Sequence, residues 1–276
     1  MFQIASYLVA AVISVIILVP LMLVLSLRIQ PKPFSAYPEP AQALRSVSLP
    51  GDLPAPVARY YETIGMGEQV PLIESAVISA RGRLRFAGIT FPARLRFTHD
   101  AGQGYRHDIE ATVFGYPLMK VNETYLDGRA RMALPIGVIE NEPKVDMAAN
   151  LGLWGESVWL PSIFITDSRV RWEPVNDRSA RLIVPFGSKE DAFIVYFDAN
   201  TGLITHMEAM RFKQAADEEK TAWRLDFLNW GTFDGILIPS SSTITWADEG
   251  TPWLVINIED IAYNVDMADY MRSTGP

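Results

Sequence analysis

Residues 80–110 read ARGRLRFAGITFPARLRFTHDAGQGYRHDIE, and the period of this stretch decides the fold. Over residues 80–86 and again over 92–98, basic and apolar side chains alternate. That two-residue repeat is the mark of a strand with one face on a core and one in water. The link at 87–91 contains Gly88 and fits a hairpin, and residues 100–104 make the next turn. A register with Arg85 facing Arg94 and Arg83 facing Arg96 is repulsive unless a third strand supplies acids. It does: a turn near Gly102 sets Asp108 beside Arg96 and Glu110 beside Arg94. The arginine face is therefore expected to be the outer, wet one, stitched by ion pairs worth ~0–1 kcal/mol each. Leu84, Phe86, Leu95, Phe97 and Ile109 take the opposite, inward face.

Downstream, the meander continues through residues 105–114, 118–126 and 129–134, with Asp127-Gly128 a two-residue turn signal. Further strands are expected over 164–175, 180–186, 192–198, 203–213, 223–230, 236–246 and 253–265, the last closing the sheet. A short helix over 56–62, stopped by Gly65 and Gly67, opens the domain. Between the two runs of strands, residues 145–160 carry Met147, Leu151, Trp154 and Val158 at helical spacing. This predicts an amphipathic helix over one sheet face, with Glu156 on its far side and Trp159 beside it. The chain is thus read as mainly β with a few helices. Eleven to thirteen strands form one large curved antiparallel sheet, half-barrel or barrel-like, covered by a short amphipathic helix, in a single domain over 55–276.

Upstream the character changes. Residues 4–27 contain no charged side chain, and 24 residues at ~1.5 Å each reach across a ~30 Å hydrocarbon core. The run is too long for a signal-peptide core and lacks a basic flank before it, so residues 1–29 are expected to be an uncleaved transmembrane anchor. Pro20 is tolerable in a bilayer. Arg28 and Lys32 just after the helix favour a cytoplasmic domain, whereas a large domain behind one N-terminal anchor favours export. The expected location is the cell membrane, single-pass, with a lean to an extracytoplasmic domain. Residues 30–54 read as a Pro-rich linker holding the domain off the membrane.

Composition narrows the function classes. With 49% hydrophobic and 20% charged residues the 276-residue chain is neither collagen-like nor disordered. Its 32 acidic against 24 basic residues leave a net charge of −8, which argues against nucleic acid as a partner. The absence of cysteine excludes thiol nucleophiles, disulfides and thiolate metal sites. Charge is uneven: residues 81–131 carry nine basic and five acidic side chains, residues 190–276 five and fifteen.

No Walker A sequence or G-x-S-x-G elbow is present, and Gly65-Met66-Gly67 follows a helix, where a dinucleotide loop would follow a strand. His99, His107 and His206 are dispersed without ligand spacing, and the register sets His99 and His107 off from direct opposition, so no metal site is expected. No cofactor and no catalytic residue is assigned. Glu156, between Trp154 and Trp159, is the one acid flanked by two tryptophans; it is read either as an ordinary helix-surface glutamate or as a group with a raised pKa. An enzyme built on it would need a second titratable group within ~3–7 Å, in a cleft. All seven tryptophans lie between 154 and 253. Trp154, Trp159, Trp172, Trp223, Trp230 and Trp246, with Glu156, are the candidate ligand-binding residues, since large aromatics on a concave sheet face line apolar pockets as well as cores.

The order LPAPVARYYETIG, VNETYLDGRARM, GLWGESVWLPS, VRWEPVNDRSARL, FDANTGLI and WGTFDGILIPSSSTITW, over residues 53–265, resembles a bacterial family of membrane-associated proteins carrying a domain of unknown function. The chain departs from it at Asn150-Leu151-Gly152, where an arginine-containing stretch is expected. The strand pattern also looks like the lipoprotein-carrier type of fold, a curved antiparallel sheet around a hydrophobic cavity. The resemblance implies no established activity. The expected function is a membrane-anchored, non-catalytic binding module for an apolar or lipid-like ligand. The alternative is an accessory subunit of a membrane-protein complex.

Overall fold

The structure, a computed structural model, describes residues 2–35, 37 and 45–272, of which residues 2–6, 8 and 9 by their backbone alone. The elements are, in chain order, α1 (Phe2–Ser26), β1 (Ser46–Ser48), α2 (Ala55–Thr63), β2 (Gln69–Pro71), β3 (Ser75–Phe86), β4 (Ile89–Asp100), β5 (Gly104–Val113), β6 (Tyr116–Leu126), β7 (Arg129–Leu134) and β8 (Gly137–Glu140). Then follow α3 (Pro143–Glu156), a 3-10 turn over Ser157–Trp159, α4 (Ile163–Thr166), β9 (Arg171–Asn176), β10 (Ser179–Phe186), β11 (Lys189–Phe197), β12 (Ile204–Arg211), β13 (Thr221–Phe233), β14 (Ile236–Trp246), β15 (Pro252–Tyr263) and α5 (Ala268–Arg272).

β1 and β2 pair as a separate ribbon, and the other thirteen strands form one antiparallel sheet in the order β8-β7-β6-β5-β4-β3-β15-β14-β13-β12-β11-β10-β9. Contrary to the expectation from sequence, the last strand does not close the sheet. It lies at the centre, joining two meanders, and the sheet stays open with β8 and β9 at its edges. Leu254, Ile256, Ile261 and Tyr263 on β15 are buried, which requires covering neighbours rather than an edge position.

The deciding hairpin forms with a tighter turn than the charge argument assumed. Ala87 and Gly88 both have positive φ, so the turn has two residues and Phe86 pairs with Ile89. Arg85 then faces Thr90, Arg83 faces Pro92, and Arg81 faces Arg94, which corrects the expected Arg85–Arg94 and Arg83–Arg96 pairs. The next register is as read: Arg94 faces Glu110 and Arg96 faces Asp108. Leu84, Leu95, Phe97 and Ile109 are buried, but Phe86, at the hairpin's end, is exposed.

The arginine face points outward without being wet throughout. Phe34 lies under the guanidinium groups of Arg94 and Arg96, 4.6 and 5.2 Å from its ring centroid. Tyr37 donates to the Asp266 carbonyl at 2.7 Å, and the Tyr270 hydroxyl on α5 bonds Asp108. Asp108 and Glu110 are buried as a result. The Pro-rich segment over 30–54 is therefore partly packed on the domain, and its stretch at 36 and 38–44 lies outside the described residues. Leu23 on α1 packs against the core. Among the described residues no helix is long and apolar enough to cross a membrane.

α3 is buried on all sides from Ala148 to Glu156 and is not the amphipathic cover expected. The sheet curls around it, and α3 touches β6 and β7 in one meander and β10 and β12 in the other. Two polar residues fix it there. Asp146 accepts from the backbone of Ala130 at 2.7 Å and from Arg129 at 2.9 Å. Asn150 accepts from the Tyr125 hydroxyl at 3.2 Å and donates to the Pro185 carbonyl at 3.1 Å and to Asp191 at 3.0 Å, tying β6 to β10 and β11. The lack of a side chain at Gly155 permits the approach to β13: a Cβ there would sit 3.1 Å from Leu225.

Candidate functional sites

Alternation along β4 and β5 sends Phe97, His99, Tyr105, His107 and Ile109 to the inner face. His107 lies opposite Phe97 and His99 opposite Tyr105, so the two histidines are diagonal neighbours with ring centroids 5.7 Å apart. Glu156, the last residue of α3, descends between them. Its Oε2 lies 2.8 Å from His107 Nε2 and 3.1 Å from His99 Nε2, and all three side chains are buried. The ring of Tyr105 stacks on His107 at 3.9 Å, and its hydroxyl donates to Glu123 at 2.5 Å. Phe97 and Trp159 wall the other side, with Phe97 4.8 Å from His107 and 5.3 Å from Trp159.

Burial pushes the Glu156 carboxyl up, but the charge of His107 and the closeness of both imidazoles outweigh it and hold the pKa at about 2. Burial also works against a charged His107, yet Glu156, with Glu123 and Asp108, raises its pKa above the ordinary value. For His99 burial wins and the pKa is lowered. Glu156 is thus held as the carboxylate between the two imidazoles. Arg211, from β12 in the opposite meander, feels Glu123, Tyr105 and Glu156, while its guanidinium rests 4.5 Å from the Trp223 ring centroid.

The sequence pointed to Glu156 but placed it on a helix surface, and it treated the histidines as dispersed. The usable signal was parity: His99 and His107 sit on the same face across one hairpin. What was missing was a reason for a helix 49 residues further on to deliver its carboxylate between them. The pKa of Glu156 is also lowered, where its tryptophan surroundings suggested a raised one.

The tryptophans expected to line a pocket serve the core. Trp154, Trp159 and Trp223 are buried, and Trp172, Trp230 and Trp246 are partly buried against the same cluster. Trp154 also borders a cavity, a polar cleft of about 450 Å³ that includes Asp100, Gln103, Asp127 and Arg169.

An apolar cavity lies elsewhere, at the end of the sheet where the β3–β4, β5–β6 and β7–β8 turns meet. It has a volume of about 290 Å³ and is lined by Phe86, Phe91, Ala111, Leu118, Met119, Leu134, Pro135 and Ile136, with no polar or charged side chain. Phe86, Leu118 and Ile136 are exposed at 54, 64 and 89%. The β5–β6 turn meets the segment just after α1, since a Cβ on Gly115 would lie 3.8 Å from Ile29.

These features define a mainly β protein: one large, open antiparallel sheet wrapped around a buried helix, with a buried His–His–Glu cluster and an apolar rim cavity. The chain belongs to a family of unknown function (DUF6544), whose model matches residues 43–257. Among curated proteins none matches. Among solved structures it is similar to a LolA superfamily protein from Nitrosomonas europaea, with 10% identity, a TM-score of 0.48, and coverage of 80% of this chain and 98% of that one. It is also similar to a DUF1329 family protein from Desulfovibrio piger, with 12% identity, a TM-score of 0.44, and the same coverage of each chain.

Proposed function

We propose that the protein is a membrane-anchored, non-catalytic module that holds an apolar, lipid-like ligand in the rim cavity. The observation that carries this reading is the lining: eight apolar residues contributed by three successive hairpins around about 290 Å³, open to solvent through exposed Phe86, Leu118 and Ile136. Leaving such a surface uncovered is unfavourable by ~25 cal/mol per Å², and a hydrocarbon segment covers it without requiring a polar partner. The volume lies near the small end of ligand pockets and suits one chain rather than a bulky ring system. The charge-free run at residues 4–27 supports an anchor of which α1 is part, and the adjacency of Ile29 to Gly115 supports entry of the ligand from the membrane side of the domain.

The test uses the full chain purified in mild detergent, extracted with organic solvent and analysed by mass spectrometry. A co-purifying lipid near one per chain is expected. Ala111→Trp and Leu134→Trp, which fill the cavity, should abolish it while leaving the far-ultraviolet circular dichroism unchanged. A lipid-free extract, or equal lipid in the filled variants, overturns the reading. The anchor is tested separately by alkaline carbonate washing of membranes, from which the full chain should not be released.

A further inference from the structure

We propose that His99, His107 and Glu156 form a binding site for a divalent first-row transition-metal ion, with zinc the ion best matched to the donors. The three donor atoms come from β4, β5 and the end of α3, and all lie within 4.8 Å of one another. Zinc takes imidazole nitrogen and carboxylate oxygen at about 2.0–2.2 Å, and corners of a tetrahedron at that radius are about 3.3 Å apart. The separations of 2.8 and 3.1 Å from Glu156 Oε2 need to open by a few tenths of an ångström to reach that spacing, and the remaining one, between the two histidines and within 4.8 Å, to close by up to about 1.5 Å.

The second observation concerns hydrogens. Although the carboxylate oxygen sits close to both ring nitrogens, neither N–H is aimed at it: His99 Nε2, His107 Nε2 and Glu156 Oε2 are all buried without a hydrogen-bond partner. Three unsatisfied donor and acceptor atoms at one buried point are costly. A cation placed among the three atoms would satisfy all of them at once, which a proton on either ring does not. The surroundings also hold the ligands in place. The face-to-face stack of Tyr105 fixes the plane of His107, and the bond from Tyr105 to Glu123 fixes Tyr105 in turn.

Two imidazoles and one carboxylate carry a single negative charge, which leaves the metal complex at +1 in the interior. Glu123, bonded to Tyr105, is a further carboxylate beside the cluster that would offset it. His99 and His107 are buried among Phe97, Tyr105 and Trp159, so the ion is inferred to be structural. It would pin the end of α3 to β4 and β5, the part of the interior that the apolar cavity does not reach. This inference is independent of the lipid reading: neither site uses a residue of the other.

The experiment takes the full-length chain in mild detergent, stripped with a chelator and titrated with Co²⁺ and then Zn²⁺. The expected result is uptake of one equivalent, with the visible absorption bands of four-coordinate cobalt that zinc then bleaches, and a rise in Tm on adding zinc. His107→Gln and Glu156→Gln should each weaken uptake at least about tenfold. His206→Gln should leave it unchanged, since His206 lies outside the cluster near Glu208. Because a variant of the buried cluster can fail to fold, circular dichroism accompanies each one and the unsubstituted chain decides first. A stripped wild-type chain that gives no visible bands and no Tm shift overturns the proposal. Binding that persists in both cluster variants, or that is lost with His206→Gln, overturns it equally.

Discussion

Phe97 and Arg94 lie three residues apart on one strand and face opposite ways, so they measure what each face contributes. Phe97 is only 1% exposed and packs between His107 and Trp159. Phe97→Ala should cost about 3–5 kcal/mol in denaturant unfolding, the usual penalty for a large aromatic truncated in a core. Arg94 bonds Glu110 at 2.6 Å and covers Phe34, but Glu110 keeps Lys120 at 3.2 Å when Arg94 is lost. Arg94→Ala should therefore cost only about 1 kcal/mol or less. Comparable losses for the two variants would mean that the outer face under Phe34 and Tyr270 behaves as a second core. A second residue-scale prediction rests on Asp167. Burial pushes its carboxyl up, but the bonds from Arg169 outweigh it and hold the pKa below the ordinary 3.8. A depressed folded-state pKa means stability that is present above 3.8 and lost as pH falls through the folded value. Thermal melts taken below pH 4 should show the wild type losing stability more steeply than Asp167→Asn. Parallel curves would remove Asp167 from the acid response.

At the scale of elements, the pairing of β3 with β15 depends on a residue with no side chain. Gly82 lies opposite Ile256, and a Cβ added to it would sit 1.7 Å from the Val255 carbonyl oxygen, a backbone atom that cannot swing aside. Gly82→Ala should therefore force the two strands apart and cost about 3 kcal/mol or more, the upper range for overpacking. Gly128→Ala, at an exposed turn with open space around it but a φ of +76°, should cost about 1–2 kcal/mol from backbone strain alone. Denaturant titration of both variants separates the two effects. A Gly82→Ala variant no worse than Gly128→Ala would show that β15 can slide relative to β3.

For the molecule as a whole, β15 joins the two meanders, and its paired residues on β3 lie at least 170 positions earlier in the chain. Such pairing must wait for a large loop to close, so it belongs to the slow class of folding steps. In the native state, β3, β15 and β14 are central and α3 is clamped from both sides. Hydrogen exchange should find the amides of Ala80, Leu254 and Ile256 among the slowest and those of the β8 edge among the fastest. Fast exchange at Ile256 with slow exchange in β11 and β12 would mean that the halves fold independently.

Features that depend on neighbours along the chain are legible without the fold. Alternation placed β4 and β5 and paired Arg94 with Glu110 and Arg96 with Asp108. The Asp-Gly pairs at 127–128 and 234–235 marked turns, because they tolerate the positive φ that a two-residue hairpin demands. Ala87-Gly88 was less legible, since alanine rarely adopts that φ, and the longer loop read over 87–91 moved the expected partner of Arg85 from Thr90 to Arg94. The position of β15 emerges with the folded sheet, because its pattern is equally compatible with an edge or a centre. The surroundings of α3 were also decided there, because a helix enclosed by a curled sheet is buried on faces that its own sequence cannot distinguish. The meeting of His99, His107 and Glu156 was decided in the same way. Each residue is unremarkable in its local sequence, and burial at a shared point arises only when the sheet bends around the helix that carries the carboxylate.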